Sequence, residues 1–139
     1  MSDFFIETAD KSDKKAIQRF YKQQRYSARF LGDDVTYLVR DNQDIIASVI
    51  ISFKDSHPLL HALVVDNNHR GQGIAQSLLA KAADLHPQLY CFCGNELMSF
   101  YQKQHFAVIQ GSLLPEELRQ RYLAYRKKHE LIALYLNSN

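Results

Sequence analysis

The segment LHALVVDNNHRGQGIA, residues 60–75, constrains the fold more than any other. An apolar run ends in Asp66, a polar loop follows, and Gly71 and Gly73 stand at the head of a long apolar stripe. Ile74, Ala75, Leu78, Leu79, Ala82 and Ala83 recur at helical spacing as far as His86-Pro87. The segment therefore predicts a strand, a loop and a helix that opens on glycine. The chain has only five glycines, so this clustering is a chemical signal. The first N–H groups of a helix have no partner within it, and with the helix dipole they favour a phosphate. Glycine lets the backbone approach such an anion, and Arg70 adds a cation at the mouth. The plainer alternative is an ordinary glycine-bearing loop before a helix.

The rest of the chain reads as alternating short elements. Residues 4–9 predict a strand. Asp10, Ser12 and Asp13 are candidate N-caps. Ala16, Ile17, Phe20 and Tyr21 predict a helix over residues 12–30, with a break near Tyr26, and Gly32-Asp33-Asp34 a turn. Strands are expected at 35–40, 44–53 and 59–65, separated by Asp41-Asn42 and His57-Pro58. A strand at 88–93 follows the long helix. A short helix at 96–104 turns Leu97, Phe100 and Tyr101 inward, and a strand covers 106–110. Pro115 suits the first position of a last helix, with Glu116 and Glu117 in its first turn and Lys127, Lys128 and His129 in its last. Leu118, Tyr122 and Tyr125 form its inner stripe, and residues 130–136 make the closing strand. The order is β-α-β-β-β-α-β-α-β-α-β. Three consecutive strands in the middle argue for a mixed sheet rather than a doubly wound parallel one.

Composition narrows the class. With 139 residues, 46% of them hydrophobic and 23% charged, one globular domain over residues 1–139 is expected. A net charge of +2 is too small for a dedicated nucleic-acid domain. No apolar run approaches the roughly 20 residues of a membrane span. The start MSDFFIETADKSD lacks the basic and apolar parts of a signal peptide, so a cytoplasmic protein is expected. Cys91 and Cys93 lie two apart on one strand, where a disulfide is geometrically unfavourable; they read as two small core residues. His57, His69 and His86 show no ligand spacing, so no metal is expected.

Three kinds of phosphate loop compete for residues 70–76. A Walker loop needs Gly-Lys-Ser/Thr, which is absent, and a dinucleotide fingerprint needs a third Gly or Ala where Gln76 stands. What remains, Arg70-Gly71-Gln72-Gly73-Ile74-Ala75, resembles the Arg/Gln-x-x-Gly-x-Gly/Ala signature of the GNAT N-acetyltransferase superfamily. Leu63-Val64-Val65-Asp66 precedes it. Further on, NELMSFYQKQHF (Asn95–Phe106) is similar to the family's N-x-x-x-x-x-Y-x-x-x-G-F segment. In element order the resemblance covers nearly the whole chain, and it is specific in residues 60–106.

The resemblance implies a GNAT-like mixed, mostly antiparallel sheet of six or seven strands flanked by helices, with acetyl-CoA as the donor. The backbone N–H groups of residues 71–75 (Gly71, Gln72, Gly73, Ile74 and Ala75), with Arg70, would hold the pyrophosphate. Leu63, Val64 and Val65 at the end of their strand would pair with the pantetheine arm, and Asn95 would hydrogen-bond it. The strands around residues 62 and 91 would splay to admit the cofactor. Tyr101 matches the tyrosine that protonates the departing thiolate; the plainer alternative is a packed aromatic beside Phe100. His61 stands where many members carry Glu, and resembles members with His there, such as arylalkylamine acetyltransferases. It is the candidate general base, with Glu7, Asp66 or a water relay as substitutes and a satisfied core histidine as the plainer alternative. In an ideal strand His61, Leu63 and Val65 share a face; a bulge would change that. Two departures stand out. Asn67 replaces a frequent Pro, and His105 replaces the Gly before Phe106, where a positive φ would cost strain.

The expected function is transfer of acetyl from acetyl-CoA to a primary amine of a small molecule or peptide, without metal, membrane or nucleic acid, by a monomer or homodimer. Two alternatives are a non-catalytic acyl-CoA-binding or sensing module and an interaction module that uses the basic helix 115–129. Arg119, Arg121, Arg126, Lys127 and Lys128 on that helix form a solvated face, or else read an acidic acceptor or the adenosine 3′-phosphate.

Overall fold

The computed structural model describes residues 4–27, 34–53 and 57–137. In chain order it contains β1 (Ile6–Thr8), α1 (Lys14–Gln23), β2 (Val35–Asp41), β3 (Asp44–Ser52), β4 (Leu59–Val65), α2 (Ile74–Leu85), β5 (Gln88–Cys93), α3 (Met98–Gln102), β6 (Ala107–Val108), α4 (Glu116–Arg126) and β7 (Ile132–Asn137). These strands form one seven-stranded sheet in the order β1-β2-β3-β4-β5-β7-β6. Only the β4–β5 pair is parallel; the other pairs are antiparallel. The expected mixed, mostly antiparallel sheet and element order are therefore observed.

Helices cover both faces. On one face Ile74, Leu78, Leu79 and Ala82 of α2 and Tyr101 of α3 pack with Val39, Val49, Ile51, Leu60 and Cys91 from the sheet. On the other, Ile17, Phe20 and Tyr21 of α1 meet Leu38, Ile50 and Ala62. Tyr122 of α4 packs near Ala133, Tyr90 and Phe92. The run 44–53 is buried on both faces over most of its length, which is why it lacks alternation. No helix among the described residues is long and apolar enough to cross a membrane.

Several elements are shorter than the sequence suggests. Asp10 and Asp13 form a reciprocal capping box around a 3-10 turn at Lys11–Asp13, and α1 begins only after it. α1 ends at Gln23, and the break expected near Tyr26 falls at Arg25, which turns left-handed at φ 56°. Residues 28–30 of the expected helix, and Gly32 and Asp33 of the expected turn, lie outside the described residues. The helix expected at 96–104 starts as a 3-10 turn at Asn95–Leu97. Leu97 does not turn into the core: it is 45% exposed. The strand expected at 106–110 shrinks to Ala107–Val108, since His105 (φ 73°) turns the chain and Phe106 points into the core. Tyr125 is likewise not part of the inner stripe of α4. It meets Phe92 edge-on at 6.3 Å and leaves its hydroxyl to Arg121.

One irregularity shapes the centre of the sheet. His61 pairs with Ile50 and Val64 with Ser48, so Ala62 and Leu63 together oppose Val49. This β-bulge puts Ala62 at φ 58°, a left-handed conformation that costs a non-glycine residue about 1 kcal/mol. Leu63 and Val65 then pack with the α2 side, while Ala62 and Val64 face α1. His61 no longer shares a face with Leu63 and Val65.

Candidate active site

β4 and β5 are paired only at Leu59–Tyr90 and Leu60–Cys91. Beyond those pairs the strands part, as the resemblance implies. A groove of about 710 Å³ opens there, between β4, the loop after it, the start of α2 and α3.

The glycine loop forms the polar end of this groove. A 3-10 turn at Asn67–His69 is capped by Asp66, whose carboxylate accepts from the Asn68 N–H. Gly71 and Gly73 follow at φ 80° and 82°. Gly73 is the N-cap of α2, and Ser77 makes the first helical bond back to its carbonyl at 3.0 Å. The N–H groups of Ile74, Ala75 and Gln76 are thus free of helical acceptors. An ideal Cβ on Gly71 would meet nothing within 4 Å. Glycine is required here by backbone conformation rather than by crowding. Arg70 lines the groove and is tethered by its Nε to the Val65 carbonyl at 3.2 Å.

Leu63, Val64, Val65, Arg70, Gly71, Gly73, Ile74, Ala75 and Tyr101 all line the groove, so most of the residues singled out in the sequence come together. Gln72 and Asn95 are exposed and are not among the lining residues. The apolar walls and the amide-rich end fit a long thioester carrier with a pyrophosphate. No cluster of three or more His, Cys, Asp or Glu able to hold a metal occurs among the described residues.

The Tyr101 ring is locked edge-on between Phe100 and Phe106 at 5.2 and 5.5 Å. Its hydroxyl is hydrogen-bonded to the Cys91 thiol. Burial, reinforced by Cys91, raises the Tyr101 pKa well above its ordinary value, so the phenol keeps its proton at neutral pH. Burial pushes the Cys91 and Cys93 thiols up too, which leaves them as inert core groups.

His61 is not among the groove residues. Burial first, and the Arg121 charge second, push its pKa down to about 4. Its Nε2 is buried with no hydrogen-bond partner. The substitutes are engaged elsewhere: Glu7 binds Arg40 at 2.9 Å, and Asp66 accepts from Gln24 at 2.9 Å and meets His69 at 3.1 Å.

Other groove residues are ones the sequence did not assign to a site. Gln24 and Tyr26 reach it from just past α1, Leu97 from the 3-10 turn before α3, and Phe100 from α3. His69 lies at the mouth between Asp66 and Asp41, and its hydrogen bond to Asp66 raises its pKa most, with help from Asp41. The Asp66-x-x-His69 spacing in a 3-10 turn was a readable signal for that pair. Tyr26 had none, because its approach depends on the left-handed turn at Arg25.

A family model for the acetyltransferase (GNAT) domain matches residues 32–108, more than half of the chain. The chain belongs to the GNAT acetyltransferase family. No curated protein matches it. Among solved structures it is similar in fold to N-acetylglutamate synthase from Neisseria gonorrhoeae complexed with coenzyme A and N-acetyl-glutamate, with a TM-score of 0.74 at 13% identity. That match covers 99% of this chain but 36% of the synthase, so the chain spans about a third of that protein's length. ElaA from Escherichia coli gives a TM-score of 0.72 at 15% identity, covering 97% of this chain and all of the other. Rv2747 from Mycobacterium tuberculosis, in complex with CoA and NLQ, gives 0.68 at 15% identity over 96% and 98% of the two chains.

Proposed function

We propose that this GNAT protein transfers an acetyl group from acetyl-CoA directly to a primary amine of a small molecule or peptide. The observation that carries the reading is the gap between β4 and β5, which opens onto a glycine-started helix at one end and has Tyr101 in its lining. In this reading the amides of residues 71–75 and Arg70 hold the pyrophosphate. Leu63, Val65 and Phe100 enclose the pantetheine arm. The amine nitrogen bonds to the thioester carbonyl carbon, the C–S bond breaks, and the sulfur leaves with its electron pair. Tyr101 gives that sulfur a proton and takes one back from water.

The amine's own proton passes to water rather than to His61, whose imidazole, with a pKa near 4, is a weak base at neutral pH. Positioning supplies most of the acceleration. The similarity to a synthase solved with coenzyme A and N-acetyl-glutamate supports a donor and an acceptor of this kind.

The test is acetyl-CoA-dependent thiol release with a panel of amino acids, polyamines and peptides. Turnover on at least one amine is expected. Tyr101→Phe is expected to lower kcat by about 10²-fold with little change in the KM for acetyl-CoA. Binding of acetyl-CoA without turnover on any amine would favour an acyl-CoA-binding module instead.

A further inference from the structure

The bulge in β4 has a support that the chemistry above does not use. Tyr21, on α1, donates its hydroxyl to the Ala62 carbonyl at 2.7 Å, across 41 positions of sequence. Both residues are buried, at 2% and 3% exposure. The Tyr26 hydroxyl lies against the backbone of the same Ala62. The end of α1 is shaped for this. The Tyr26 N–H donates to the Tyr21 carbonyl at 2.9 Å after the left-handed Arg25, and the two rings sit 5.8 Å apart.

Ala62 gains nothing locally from its conformation. It is a non-glycine residue at positive φ, and the bulge takes its backbone out of regular register with β3. A buried carbonyl so displaced needs a donor, and Tyr21 is that donor. Without it, a regular β4 would move Leu63 and Val65 to the other face, away from the groove they now line.

We propose that Tyr21 is a positioning residue for acyl transfer: its hydroxyl holds the Ala62 carbonyl and so keeps β4 bulged, with Leu63–Val65 set against the thioester. This rests on the transferase reading above.

The test is Tyr21→Phe, which keeps the ring and its edge contact with Phe20 at 5.4 Å but deletes the donor. Expected are a fall in kcat of about tenfold or more, loss of any preference for acetyl-CoA over CoA, and faster hydrogen exchange in residues 61–65. CoA itself should also bind more weakly, because it carries the pantetheine arm that Leu63 and Val65 enclose, but acetyl-CoA should lose more. A second arm uses Ala62→Gly, since glycine adopts this φ without strain. In that background Tyr21→Phe should cost less.

Three results would overturn the proposal. One is unchanged kcat, acetyl preference and exchange in Tyr21→Phe. Another is an equal loss of CoA and acetyl-CoA affinity, which marks a merely structural role. The third is the same loss in both backgrounds. A wild type that neither binds nor turns over acetyl-CoA would instead sink the transferase reading, and this proposal with it.

Discussion

His61 illustrates how a residue's environment decides its chemistry. Burial lowers its pKa from the ordinary 6.5 to about 4. Between those values the unfolded chain binds a proton that the folded one refuses, so stability should rise as pH increases from about 4 to 6.5 and then level off. The full effect is on the order of 3 kcal/mol. Urea melts across that range should show the slope, and His61→Leu, which also removes an orphaned nitrogen, should flatten it; an equal slope in the variant would contradict the assignment. At this scale the sequence was partly legible. Gly71 and Gly73 mark their own left-handed backbone, and His105, placed where the family has Gly, does adopt φ 73°. Ala62 gives no such signal, because alanine carries no preference for that region. The residue type of His61 therefore suggested a base, while the bulge beside it moved the imidazole off the groove.

Elements were legible in proportion to how far their own pattern fixed them. α2 was clear because its apolar stripe and its opening glycine agree. The break in the first helix, expected near Tyr26, falls at Arg25, and α1 itself ends at Gln23 because the chain turns left-handed there although Lys22, Gln23 and Gln24 are good helix formers. β6 was read too long because an apolar run cannot report where its partner strand ends. The inner face of α4 was legible in Leu118 and Tyr122, both buried, but what it docks against was not. The Tyr122 ring lies 5.1 Å from Phe92, and its hydroxyl donates to the Leu131 carbonyl at 2.9 Å. A Cβ added at Gly111 would come within 2.8 Å of that ring. Gly111→Ala should therefore push Tyr122 aside and destabilise the protein by about 1–3 kcal/mol. Thermal unfolding checks this, and an unchanged melting temperature would show that α4 is not held through this ring.

The described sheet is interrupted at the parallel β4–β5 junction, and the site occupies the interruption. Its polar end was readable as a motif within one contiguous segment, whereas its walls come from α1, β4 and α3 and meet only in the fold. Contacts such as Tyr21–Ala62, made across 41 positions, leave no periodic trace in a sequence. The central claim is that the start of α2 holds the pyrophosphate of acetyl-CoA. Calorimetric titration of the wild type and of Gly73→Glu tests it most directly, because the new side chain strains a φ of 82° and sets a carboxylate at the phosphate amides. The account predicts micromolar binding to the wild type and a loss of at least about tenfold, some 1.4 kcal/mol, in a variant that still unfolds cooperatively. Equal affinity in the two proteins, or no binding to the wild type, would contradict it.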